Sequence, residues 1–126
     1  TYLDTSVALA HLLGETKRPA ETLWRDVLVA SRLLEYEMWT RLHGLGLANS
    51  HGEEARELLG QVSLVELVPE VLERALEPFP VRVRTLDALH LATMDHLRDS
   101  GHELFLASYD ERLNAAAQAL GFALLR

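Results

Sequence analysis

Short continuous apolar runs alternate along this chain with longer segments whose apolar residues recur at helical spacing. Tyr2-Leu3 is a short strand running into Asp4, and Ser6 to Leu13 reads as a helix closed by Gly14. Pro19 opens a second helix, with Leu23 and Trp24 on its apolar side. The β-branched-rich run Val27-Leu28-Val29-Ala30 is a strand, followed by a long helix from Arg32 to Leu45 that Gly44 and Gly46 end. Glu53 to Leu59 is a helix, and Leu64 to Val68 is a strand bounded by Pro69. Pro69 to Glu77 is again helical until Pro78-Phe79-Pro80 breaks it. Thr85 to Arg98 is a helix stopped by Gly101, and Leu104 to Ala107 is a buried strand. Asp110 to Leu120 is a helix with Gly121 just past its end, and Phe122 to Leu125 is the last strand.

Strands separated by helices predict an α/β protein, a three-layer α/β/α sandwich around a mainly parallel sheet. Apolar runs that are continuous rather than alternating fit strands buried on both faces. In such a sheet the carboxyl ends of all strands share one edge, and ligands bind there. With 126 residues the chain reads as one domain, residues 1–126, long enough to bury roughly two-thirds of its unfolded surface. It has no cysteine, which removes disulfides, thiolate nucleophiles and Cys-type zinc sites. No apolar run approaches the length of a membrane span, and the opening TYLDTSVALAHLLGETKR carries Asp4 and no basic leader, so neither a membrane anchor nor a signal peptide is expected. A cytoplasmic location is the expectation. The net charge of −7 disfavours duplex binding driven by bulk positive charge. It is compatible with carboxylates gathered around a metal. Lys17 is the single lysine, so a mechanism that needs a buried catalytic lysine has no other candidate.

Acids recur at the junctions that matter. Asp4 ends the first strand, and Asp110 follows the strand 104–107 after a short turn. Asp87 lies in the first turn of the helix begun by Thr85, and Glu35 and Glu37 lie at the start of the helix after strand 27–30. Converging carboxylates repel unless a cation neutralises them, and hard divalent ions prefer oxygen ligands. With no competing His/Cys cluster, magnesium or manganese is the expected ion, able to activate water or clamp a phosphoryl oxygen. Each acid also has a structural explanation. Asp4 could cap its helix, Thr85 could cap the next with Asp87 an ordinary first-turn acid, and Ser108 with Glu111 form an S-x-x-E capping box beside Asp110. Helical periodicity does not choose between Glu35 and Glu37, which flank the stripe Leu34, Met38, Leu42, Leu45 on opposite sides.

The segments YLDTSVALAHL, SRLLEYE, TLDALHLAT and ASYDERLNAAAQALG, in that order, resemble a PIN-domain ribonuclease of the VapC toxin type. The resemblance runs from Tyr2 to about Gly121. It implies a PIN-like fold and a site of Asp4, Glu37 rather than Glu35, Asp87 and Asp110, serving as metal ligands and catalytic acids. Thr5, Ser6 and Ser108 would be supporting hydroxyls; the family often has Thr at the last position. Neither Glu111 nor Asn114 is assigned as a further acid-type ligand. It also implies a Mg²⁺- or Mn²⁺-dependent endoribonuclease acting on structured RNA, homodimerisation, and inhibition by a cognate antitoxin.

Arg32, Arg82 and Arg84 are candidates for holding RNA phosphates, because an acidic site still needs local positive charge. His90 falls one turn after Asp87 and could orient a carboxylate, or simply be a core histidine. Trp24, Tyr36 and Trp39 supply aromatic surface suited to a dimer interface. An aspartyl-phosphate enzyme is disfavoured, because Thr5-Ser6 follow Asp4 and no lysine occurs late in the chain. A catalytically weak PIN-fold module that binds RNA or protein is the remaining alternative.

Overall fold

The computed structural model describes residues 1–125; Arg126, the end of the domain read from the sequence, lies outside them. Five strands, β1 (Tyr2–Leu3), β2 (Leu28–Ser31), β3 (Val62–Val65), β4 (Phe105–Ala107) and β5 (Ala123–Leu124), form one sheet in the order β3-β2-β1-β4-β5. Every pairing is parallel. The helices are α1 (Thr5–Leu12), α2 (Leu33–Gly44), α3 (Ala48–Gly60), α4 (Pro69–Ala75), α5 (Thr85–Asp99) and α6 (Glu111–Ala119). Side chains of successive strand residues go to opposite faces. Leu3 and Ala107 therefore join the core under α1, α2 and α3, while Tyr2 and Leu106 join the core under α5 and α6. This is the expected three-layer sandwich.

The strand order sets the place of the site. The chain builds outward from β1 through β2 to β3, then returns to the other side of β1 for β4 and β5. Parallel α/β sheets bind ligands outside the carboxyl ends of the strands at the point where the order reverses. Here that point lies between β1 and β4. The register pairs Leu3 with Ala107, and the amide of Asp4 continues the ladder by donating to the Ala107 carbonyl at 3.0 Å. Asp4 and Ser108 therefore leave the sheet side by side.

Several element boundaries differ from the sequence reading. The helix expected from Pro19 is only a 3-10 turn over Glu21–Arg25, with no side chain capping its start. Strand β2 is shifted one residue on from 27–30, leaving Val27 outside the strand and 77% exposed. Strand β3 begins at Val62 and ends at Val65 rather than spanning 64–68. Its register with β2, from Leu28 opposite Val62 to Ser31 opposite Val65, fixes both ends. Helix α3 starts at Ala48, five residues before the expected Glu53. Gly52 disguised it, because glycine weakens a helix. The residue is there for space: a Cβ on Gly52 would stand 3.3 Å from the Trp39 ring where α2 crosses α3. Gly52→Leu should therefore destabilise the protein by about 1–3 kcal/mol through overpacking, measured by urea unfolding. An unchanged midpoint would contradict this account of the crossing.

Trp24 and Trp39 are half-buried. Both pack against the core on the α1–α3 side, Trp24 against His11 and Trp39 with Arg56 over its ring. Of the three, only Tyr36 is exposed, at 62%. No helix among the described residues is long and apolar enough to cross a membrane.

Candidate active site

Asp4 is the N-cap of α1, as the capping explanation requires, and it is more than a cap. Its Oδ2 accepts from the Ser6 amide at 3.3 Å, the Ser6 hydroxyl at 2.6 Å and the Ser108 hydroxyl at 2.8 Å. The residue is only 7% exposed, yet all three bonds fall on one oxygen. A buried carboxylate needs compensation for its charge, and hydroxyls compensate only in part. Beside it the Thr5 Oγ1 is buried with no partner in the structure. The same hydroxyls tie the start of α1 to the β4–α6 loop and brace that loop, since Ser6 Oγ accepts from the Tyr109 amide and Ser108 Oγ accepts from the Asp110 amide, each at 2.9 Å.

Asp110, not Ser108, caps α6: its Oδ1 accepts from the amides of Arg112 at 3.0 Å and Leu113 at 3.3 Å. Ser108 is instead the link between Asp4 and Asp110. Asn114 secures that link by donating from Nδ2 to the Ser108 carbonyl at 3.0 Å. Arg84, not Thr85, is the N-cap of α5, and Asp87 accepts the Arg84 amide at 3.4 Å. The half-buried Asp87 thus faces the same edge from the opposite side.

The two candidate glutamates separate clearly. Glu35 faces Arg32 at 3.7 Å on the surface. Glu37 turns inward, its Oε1 2.6 Å from His90 Nε2. His90 is 2% exposed, and its Nδ1 lies 2.8 Å from the Tyr2 hydroxyl. That hydroxyl also accepts from the Ser31 amide at 3.1 Å. Burial, the largest influence on His90, pulls its pKa down. The hydrogen bond to Glu37 and the charges of Glu37, Asp4 and Asp87 together outweigh it, so the ring is easier to protonate than a free histidine. Burial pushes the Tyr2 phenol far up, against the lowering effect of the Ser31 amide, so it stays neutral.

Glu37, Asp87 and Asp110 line one open notch of about 440 Å³, together with Arg84, Thr85, Leu86 and Arg112. Asp4 is held at its sheet side through Ser108. Among the described residues no group of three acids or histidines stands close enough to hold an ion without some adjustment. Each carboxylate rests instead on its own nearest donors: hydroxyls for Asp4, His90 for Glu37, helix-start amides for Asp87 and Asp110. The donor set is nonetheless hard and all oxygen, with His90 occupied by Glu37 and Tyr2, which suits a divalent magnesium- or manganese-class ion.

The arginines fall out differently from the sequence reading. Arg32 does not line the notch; it pairs at the surface with Glu66, its Nε donating to Oε1 at 2.9 Å. Arg82 lines a neighbouring apolar groove with Leu72, Leu76 and Val81. Arg84 lines both that groove and the acidic notch, and Arg112, which sequence reasoning passed over, lines the notch as well. Its position two residues after Asp110, in the first turn of α6, was the available signal. Tyr2 was also missed. A hydroxyl on a strand residue buried on both sides was the clue, because phenylalanine would fill the same space.

Residues 1–119 match the PIN domain family, and the chain belongs to it. It is 33% identical to Ribonuclease VapC46 of Mycobacterium tuberculosis over 128 aligned positions, covering 98% of this chain and 95% of that protein. Among solved structures it is similar to Mycobacterium tuberculosis VapC20, described as a sarcin–ricin-loop cleaving toxin. That match has a TM-score of 0.70 at 23% identity, over 99% of this chain and 98% of the other. A toxin–antitoxin complex from Klebsiella pneumoniae matches with a TM-score of 0.68 at 17% identity, over 94% and 93% of the two chains. The fold class and family expected from the four sequence segments are those found.

Proposed function

We propose that this chain is an endoribonuclease that hydrolyses RNA phosphodiester bonds with a divalent cation, and that it is the toxin of a toxin–antitoxin pair. The observation that carries the reading is the set of carboxylates Asp4, Glu37, Asp87 and Asp110 at one sheet edge, beside Arg84 and Arg112. The 33% identity to a VapC ribonuclease supports it. Asp4, Glu37, Asp87 and Asp110 would hold the ion, which when bound supplies an activated water and neutralises charge on the phosphoryl oxygens. Ser6 and Ser108 fix the Asp4 oxygen they bond and leave its other oxygen for a ligand. Arg84 and Arg112 hold the phosphate backbone against an edge that would otherwise repel it. Residues 1–126 act as a single nuclease domain in the cytoplasm, where structured RNA is the substrate.

The test is cleavage of RNA by the purified chain. Magnesium or manganese should support it and EDTA should abolish it. Calcium should bind yet give little turnover, because its longer, looser ligation positions water poorly. Full activity in EDTA would contradict the reading.

Two partners belong to the same proposal. An acidic notch invites an arginine from a cognate antitoxin, held by charge-assisted bonds, and a complex whose partner avoids the notch would refute that mode. A homodimer would cover the apolar side chains Leu72, Leu76 and Val81, which are 43%, 87% and 41% exposed. Sedimentation at micromolar concentration should give a dimer; a monomer would count against it.

A further inference from the structure

Tyr2, His90 and Glu37 form a chain of hydrogen bonds that runs from the middle of the sheet to the acidic edge. It involves four elements: Ser31 at the end of β2, Tyr2 on β1, His90 on α5 and Glu37 on α2. Its inner members are sealed, with Tyr2 at 0% and His90 at 2% exposed. Core packing does not require either polar group. The hydroxyl and the imidazole would be expensive there without partners, and here both have them.

The hydrogen-bond partners assign which proton faces Glu37. Because the Ser31 amide donates to the Tyr2 oxygen, the phenolic proton is free to point at His90 Nδ1. That leaves Nε2 as the N–H of a neutral ring, directed at Glu37 Oε1 at 2.6 Å. In a charged ring both nitrogens carry protons, and the Tyr2 oxygen accepts from Nδ1 instead. In either state Glu37 receives an N–H from the same direction. One carboxylate oxygen is thereby pinned, and the orientation of the other is set by the core.

We propose that His90 is a positioning residue for Glu37, and that Tyr2 holds His90 in the ring orientation this requires. Together they preset one carboxylate of the ion-binding edge. The inference rests on the metal-dependent reading above and adds residues which that reading leaves unassigned. Partners behind a ligand set its direction and basicity, and their loss costs about 10–100-fold in metal affinity.

The experiment is calorimetric titration of Mn²⁺ into the RNA-free full chain, with a thermal melt of each variant. Tyr2→Phe removes one oxygen and keeps the ring; it should weaken Mn²⁺ binding about tenfold. His90→Phe should weaken it about 10–100-fold, while His90→Gln, which keeps an N–H donor on a similar reach, should recover most of the loss. Adding Tyr2→Phe to His90→Phe should cost nothing further, because the two act in series. Leu91→Ala, a cavity beside His90 in α5 but outside the chain of bonds, should lower the melting temperature and leave Mn²⁺ affinity unchanged. Should His90→Phe fail to fold, Tyr2→Phe and His90→Gln still decide. Wild-type affinity in folded Tyr2→Phe and His90→Phe would overturn this inference alone. A wild type that takes up no Mn²⁺ would overturn the metal reading and this inference with it.

Discussion

Asp4→Asn is expected to lower RNA cleavage by about 10³-fold or more while the protein stays folded, the scale of removing a metal-clamping charge. The structure separates the two roles of this residue. As a cap, Asp4 needs only an acceptor, and an Asn oxygen can take the Ser6 amide, the Ser6 hydroxyl and the Ser108 hydroxyl in its place. Asn and Asp are nearly equal N-caps. As an anion, Asp4 shares its edge with Glu37, Asp87 and Asp110, and those like charges repel without a cation. The substitution removes that repulsion along with a favourable interaction with the start of α1, so in EDTA it should melt at or slightly above wild type. Magnesium should then stabilise wild type more than the variant, since a ligand stabilises only the state that binds it. A variant that melts clearly lower in EDTA and still cleaves RNA would make Asp4 a cap and nothing more.

Glu37→Gln should lose about 10²-fold in rate, with Glu35→Gln near wild type. The two residues lie two positions apart in α2 and so point to different sides of the helix, where their surroundings differ. Glu35 sits opposite Arg32 at the surface, an ion pair of the kind worth about 0–1 kcal/mol to stability and nothing to the notch. Glu37 lines the notch and is held by His90. Glutamine at 37 can still accept from His90 Nε2, so the fold should be kept while the charge is lost. Steady-state cleavage of a defined RNA checks both. A silent Glu37→Gln with a damaged Glu35→Gln would move the site to the other face of α2.

What the chain's own residues made legible was the layer order and the edge. Continuous apolar runs such as Leu104-Phe105-Leu106-Ala107, spaced by helices, specify parallel strands, and an acid after a strand then has one place to be. Asp87, in a first helical turn after a loop, was tied to the edge by the family resemblance; Asp4 and Asp110 were placed by that logic. The choice of Glu37 was not, because two acids that flank a helical stripe differ only in what packs beside them. His90 from α5 makes that difference, and it lies 53 positions away. Contacts across such separations also hid Tyr2, whose hydroxyl looks idle in the sequence, and the surface pairing of Arg32 with Glu66. Helix α3 was shortened in the reading because Gly52 is chosen for the Trp39 contact and not for helix propensity. Local pattern recovers what local forces decide; the supporting residues of the site are set by packing between distant elements.

The activity proposed for the carboxylate edge is RNA cleavage inside cells. The most direct measurement is end-mapping of cellular RNA after induction of wild type and of Asp87→Asn. Asp87 lines the notch and caps nothing beyond the Arg84 amide, so the amide isostere keeps the helix and removes the charge. Wild type should give new discrete 5′ ends in structured RNA, and the variant none. Identical end profiles for the two, or no new ends with either, would contradict it.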